Sequence, residues 1–183
     1  MNKEMKKYLL CLSRETIKTF LEKGSVDPPV DPPEELRANG ASFVTLELNG
    51  HLRGCIGTLE AYRPLFSDVF ENSLNSAFRD PRFRPLSLSE LEKVRIEISV
   101  LSPRKKIAYS NYSDLKSKIT PGLHGVYLQS SSTSSTFLPQ VWEQLPEQDK
   151  FLAHLCMKAG LSADYLTSNK PIVEIYTVES LKE

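Results

Sequence analysis

Cysteine, net charge and long hydrophobic runs are what this sequence has least of. Its three cysteines, Cys11, Cys55 and Cys156, are too few and odd in number for a disulfide framework, which points to a reducing, cytoplasmic setting. A chain of 183 residues buries roughly 70% of its unfolded surface and does not need such staples. Twenty-three basic residues balance 23 acidic ones, which argues against a general binder of nucleic acid or of an anionic membrane. The apolar stretch Tyr8 to Leu12 stops at five residues, with Arg14 and Glu15 close behind. That is too short for a signal-peptide core, and far short of the ~20 residues of a membrane span.

What is present is the makeup of a soluble globular protein, 40% hydrophobic and 25% charged. Residues 4–23 carry Met5, Leu9, Leu12, Thr16 and Phe20 at helical steps, followed by Gly24, so they form an amphipathic helix packed on the body. Four prolines between Val26 and Pro33 make an extended connector. Asn49-Gly50 joins two apolar runs as a β-hairpin over 42–57, because both turn residues take positive φ. A helix follows from Pro64 to Arg79, with Leu65, Val69, Leu74 and Phe78 inward, and Asp80-Pro81 ends it. Ser87-Leu88-Ser89-Glu90 has the form of a capping box, and Val94 to Val100 alternates as a half-buried strand.

The second half has the same order. Strands over 125–129 and 136–138, a helix over 147–159 stopped by Gly160, a short turn at 162–166 and a closing strand 172–178 repeat the scheme hairpin, long helix, short helix, strand. The expectation is one domain over 1–183: a lobe around 40–102, a lobe around 120–178, and the helix 4–23 packed against them. It is an α+β fold, β-rich, with two unequal lobes and an internal structural duplication.

The hairpin carries the residues with most chemistry. In a plain two-residue hairpin Leu48 opposes His51, Leu46 opposes Arg53 and Val44 opposes Cys55. Arg53 and Cys55 then share a face, roughly 6–7 Å apart. A guanidinium at that distance favours the reactive thiolate, and Gly54 and Gly57 leave room for a ligand or a neighbouring backbone. The opposing reading makes Cys55 a small packed residue and the glycines the mark of a bulge, which would carry Arg53 away from the sulfur. His124, in a glycine-flanked turn, is the candidate base for a cysteine–histidine pair, or else a residue that bonds neighbouring backbone. Arg79, Arg82 and Arg84 crowd a proline-braced loop that could grip an anion, or tie itself to the body through Asp80 and Arg82. Gln140 stands beside Trp142, the only tryptophan, which either floors a cleft or anchors the core. No spacing of His, Cys, Asp or Glu suggests a metal site, and no cofactor is implied.

In order and spacing these segments resemble the AMMECR domain family. The resemblance rests on Phe43 to Leu46, on Leu52-Arg53-Gly54-Cys55-Ile56-Gly57, on Asp80-Pro81-Arg82-Phe83, on His124-Gly125, on Leu138 to Val141 and on Lys158 to Leu161. Ser73, Ser76 and Arg84 are departures that leave the six-residue hallmark intact. The chain looks most like the stand-alone prokaryotic form known as AmmeMemoRadiSam system protein A, which implies a pathway shared with a Memo-like protein and a radical S-adenosylmethionine enzyme. The resemblance implies a place on the molecule and no reaction. Two functions are therefore expected. In one, a non-catalytic adaptor presents substrate to those partners. In the other, an enzyme holds an anionic substrate in a cleft between the lobes, with Cys55 as nucleophile, His124 as base, Arg53 and Arg82 as anion clamp, and Gly54, Gly57 and Gln140 lining it.

Overall fold

The computed structural model describes residues 1–183, a mixed α+β protein with two antiparallel sheets. The chain divides into two compact units, residues 1–101 with 179–183, and residues 102–178. No helix is long and apolar enough to cross a membrane.

In the first unit, α1 (Lys3–Lys23) starts where the Asn2 side chain accepts the Met5 amide, and ends at Gly24 in the left-handed region. Its buried face is Leu9, Ser13, Thr16 and Ile17: Leu9 and Thr16 of the expected stripe are fully inward, Met5, Leu12 and Phe20 are half-buried at its margin, and the centre is shifted toward Ser13 and Ile17. The shift follows from what it packs on. On α2 (Leu65–Phe78), Ser73 donates to Ser13 at 2.7 Å and Phe78 meets Phe20 with ring centroids 4.6 Å apart, so small hydroxyls set a close helix–helix contact. Strands β1 (Asn39–Leu48) and β2 (His51–Gly57) form the hairpin, with Asn49 at φ 54° and Gly50 at 79°. A short β3 (Arg63–Pro64) pairs with the start of β1. After α2 come α3 (Leu88–Leu91), opened by the Ser87–Glu90 capping box, and β4 (Val94–Leu101). The final strand of the chain, running Val178–Lys182, completes the order β2-β1-β4 and then itself. Val44, Leu46, Ile96 and Ile98 on the sheet and Leu9, Ile17 and Val69 on the helices form the core, each contributing about 2 kcal/mol by burial.

The hairpin register differs from the plain two-residue one. His51 does oppose Leu48, but Thr45 opposes Cys55, Leu46 opposes Gly54 and Val44 opposes Ile56, with a bulge at Arg53. The core imposes it. Leu46 is fully buried under the helices, and a plain register would set an arginine side chain beside it. The extra residue brings a glycine there instead.

The second unit places β5 (Lys105–Lys106), α4 (Tyr112–Ser117), β6 (Gly125–Gln129) and β7 (Ser134–Phe137) before α5 (Gln148–Lys158), α6 (Tyr165–Ser168) and β8 (Ile172–Tyr176). Its sheet runs β5-β8-β6-β7. Trp142 is buried and stacks on Phe151 with centroids 3.6 Å apart and planes 2° apart, which makes it a core anchor. The closing strand expected over 172–178 is two strands. It breaks at Thr177, whose amide bonds the Ser102 hydroxyl at 3.0 Å, and β9 (Val178–Lys182) continues in the first unit's sheet. Alternation of side chains cannot reveal which sheet an extended residue joins, so the break leaves no sequence mark. The short β3, β5 and α4 also lay beyond what periodicity discloses.

Both units run hairpin, helix, short helix, strand, and in both the first hairpin strand is central. It lies between its hairpin partner and the closing strand, as β2-β1-β4 and β7-β6-β8.

Candidate functional site

The β2 strand is an edge of its sheet, and an edge presents backbone groups with no strand to pair them. At Cys55 the loop that follows α2 supplies the partners. The Cys55 amide donates to Asp80 Oδ2 at 2.9 Å, and the Cys55 carbonyl accepts from Arg82 Nη2 at 3.1 Å. Asp80 and Arg82 are locked to each other, Nη2 to Oδ2 at 2.7 Å and Nε to Oδ1 at 3.0 Å. The Asp80 side chain is 1% exposed and that of Arg82 53%. Hydrogen bonding by Arg82, then by the backbone amides of Cys55 and Arg82, holds the Asp80 carboxyl well below the usual carboxylate range, against the opposing effect of burial.

Arg53, on the bulge, turns to a second carboxylate. Its Nε donates to Glu90 Oε1 at 2.8 Å and its Nη2 to Oε2 at 3.1 Å, while Nη2 also reaches the Pro85 carbonyl at 3.4 Å. Glu90 accepts the Ser87 amide and hydroxyl as well, and these bonds, led by that of Arg53, bring its carboxyl down to about 2. The ring of Phe83 lies under both guanidiniums, 5.9 Å from that of Arg53 and 5.5 Å from that of Arg82.

The half-buried Cys55 sulfur accepts a hydrogen bond from the Thr45 hydroxyl at 3.3 Å. Thr45 also lines a hollow of about 160 Å³, with Glu47, Arg95 and Glu97. Of the two arginines it is Arg82 that bonds Cys55, through the backbone carbonyl, whereas Arg53 donates to Glu90 and Pro85. The two glycines are explained by packing. A Cβ on Gly54 would lie 2.2 Å from the Ser76 carbonyl oxygen in the last turn of α2, and one on Gly57 would lie 2.2 Å from the Phe43 ring and 2.5 Å from the Ser42 carbonyl. Both positions are filled by the protein itself.

His124 and Gln140 lie in the second unit. His124 Nδ1 accepts the Thr120 amide at 3.0 Å, and its carbonyl accepts the Trp142 indole N–H at 2.7 Å. With Nδ1 accepting, the neutral ring carries its proton on Nε2, and partial burial lowers its pKa. Gln140 is exposed, in a short 3-10 turn from Pro139 to Glu143. The structure thus gathers Arg53, Gly54, Cys55, Gly57 and Arg82 in one unit, around carboxylates the sequence reading had assigned to a helix cap and a loop tie.

The family described as AMMECR1 matches residues 10–181, and so spans every segment just described. The chain belongs to the AMMECR1 family. It is 37% identical to Protein MK0488 of Methanopyrus kandleri over 94% of this chain and 84% of that one. It is 34% identical to Protein NEQ441 of Nanoarchaeum equitans, over 92% and 93% respectively. Among solved structures, the uncharacterized protein PH0010 from Pyrococcus horikoshii is similar over 100% of this chain and 93% of its own, with 33% identity and a TM-score of 0.86.

A buried carboxylate hub lies on α2 of this AMMECR1 chain. Asp68 on α2 is fully buried and accepts from the Ser42 amide and hydroxyl, both at 2.7 Å, and from Asn72 at 3.0 Å. Its other oxygen accepts from Thr58 at 2.6 Å and Arg63 at 2.9 Å. The available signal was an acid and an amide at i and i+4 on a helix face otherwise inward and apolar. This hub ties the end of β2 to β1 and α2, and so stiffens the strand that carries Cys55.

Proposed function

We propose that this AMMECR1-family chain is a cytoplasmic adaptor of the AmmeMemoRadiSam system protein A type, which presents substrate to a Memo-like protein and a radical S-adenosylmethionine enzyme. Its docking face is the ribbon around Leu52–Gly57. One observation carries this reading: Arg53 and Arg82 are each already forked onto a carboxylate, Glu90 and Asp80, with only the buried Nη1 of Arg53 left without a partner. An anion clamp would have to break those pairs, whereas a rigid platform gains from them. Leu52, 45% exposed on the same strand, offers an apolar contact. The partners follow from the family resemblance, and three free thiols agree with a reducing compartment.

The test is binding of the purified chain to a Memo-like protein and a radical S-adenosylmethionine enzyme of the same organism, followed by biolayer interferometry. A complex is expected, and Leu52→Glu should weaken it at least tenfold with folding unchanged. No complex with either protein refutes the reading.

A second reading, an enzyme with Cys55 as nucleophile, has one observation in its favour. The Thr45 hydroxyl donates to the sulfur, and donors stabilise a charged sulfur. His124 would have to give up its bond to the Thr120 amide before accepting a proton at Nδ1. Iodoacetamide separates the two. The adaptor predicts labelling in the order Cys11, Cys55, Cys156, following exposure, whereas the enzyme predicts Cys55 first.

A further inference from the structure

Away from β2, a groove of about 460 Å³ runs along α1 beside the end of β9, inside the first unit. Its lining is mostly carbon, from Leu10 and the stems of the basic side chains; its cations are Lys3, Lys6, Lys7, Arg14 and Lys182, against the acids Glu15 and Glu183. The volume lies within the roughly 300–1,000 Å³ of ordinary binding clefts.

The charges divide into two sets. Arg14 forks onto the Glu183 carboxylate, Lys6 pairs with Glu179 at 2.7 Å and Lys182 with Glu97 at 3.2 Å. Of these carboxylates only Glu183 lines the groove, and its pair with Arg14 shows how the groove takes one; Lys6 and Lys182 are held by acids outside it. Lys3 and Lys7 have the same placement on the helix, four residues apart on one face, and their side chains make no ion pair or hydrogen bond. From Lys3 to Arg14 the helix advances roughly 16 Å, the length of about five extended residues.

We infer that this groove is a docking site for an acidic peptide segment of a partner protein, one that sets carboxylates on Lys3 and Lys7 and an apolar side chain on Leu10. Complementary charge selects the acid, and the carbon floor selects a peptide that also carries apolar residues. A concave surface with a half-buried Leu10 is poorly shaped for a bilayer, which is met by protruding apolar side chains. The site is independent of the proposed role of β2, because none of its residues belongs to that strand or to the loop that caps it.

The test uses the full chain and a fluorescein-labelled hexapeptide of alternating leucine and glutamate, read by anisotropy at low salt. Saturable binding is expected, weakened at least tenfold by Lys3→Glu with Lys7→Glu, and weakened again by raised salt. Both substitutions are on exposed side chains, and an unchanged thermal transition would verify the fold. Failure of the peptide to bind, equal binding by the double variant, or stronger attachment to phosphatidylserine vesicles than to the peptide would each overturn the proposal.

Discussion

The two units solve the same packing problem with different chemistry. In each, a leucine of the central strand faces a small residue of the edge strand beneath the last turn of a helix: Leu46 with Gly54 under α2, Leu128 with Ser135 under α5. In the first unit the helix carbonyl, Ser76 O, lies directly against the glycine. In the second the carbonyl of Leu155 accepts the Ser135 hydroxyl at 2.7 Å. At the next residue along the edge strand, the Cys55 carbonyl is capped by Arg82 and the Thr136 carbonyl by Lys158, at 2.9 Å. A cation on that carbonyl is therefore a property of the repeated architecture. What belongs to the first unit alone is the thiol, the buried Asp80 behind the cation, and the Arg53–Glu90 fork.

The largest effect that could break this comparison is at the contact under the helix. Gly54→Ala should cost about 3 kcal/mol, since a methyl meets a backbone carbonyl that cannot move away, whereas Ser135→Ala should cost about 1 kcal/mol for one buried hydrogen bond. Urea denaturation reads both, and equal losses would mean the helices do not approach their strands differently. Next is the edge cap. Asp80→Ala leaves the Cys55 amide without its acceptor and should cost about 2 kcal/mol, against less than ~1 kcal/mol for the exposed Lys158→Ala. A smaller cost at Asp80 would count against a rigid hallmark strand.

The smallest effect is on pH dependence, and it compares one carboxylate of the first unit with one imidazole of the second. Glu90 has its carboxyl lowered from 4.5 to about 2, so its contribution is complete above pH 4.5 and lost as pH falls toward 2. His124 is lowered from 6.5 by burial, so the folded state prefers the neutral ring and stability declines as pH falls below 6.5. Glu90→Gln should reduce the slope of the unfolding free energy between pH 4.5 and 2, where Asp80, Asp114, Asp149 and Glu179 also contribute, and His124→Asn should reduce the slope just below pH 6.5. If His124→Asn altered the lower range instead, the assignment of the two limbs would be reversed.

Much of this is legible in the sequence alone. The turn at Asn49-Gly50, the capping box at Ser87–Glu90, the strand at 94–100 and the order of elements in both halves depend on local conformational preference, which a sequence displays directly. The choice between an anion loop and a loop tied to the body at Asp80 and Arg82 was left open, because it depends on which backbone the side chains reach. The bulge at Arg53 was foreseen only as an alternative, since it answers to the burial of Leu46 beneath helices distant in sequence. The one local mark of Asp68 was Asn72 a turn later on an inward face, which does not say what the acid binds. Its role needs Ser42, Thr58, Arg63 and Asn72 to converge on it.

By itself, then, the sequence determined the elements, their repetition and the kinship carried by Leu52–Gly57, because periodicity, turn chemistry and motif order are written along the chain. Only the tertiary structure decided that each arginine beside Cys55 already has its carboxylate, that the glycines are occupied by the protein's own atoms, and that the last strand changes sheets. Those outcomes depend on distances between residues far apart in sequence, and charge pairing and close packing act across space.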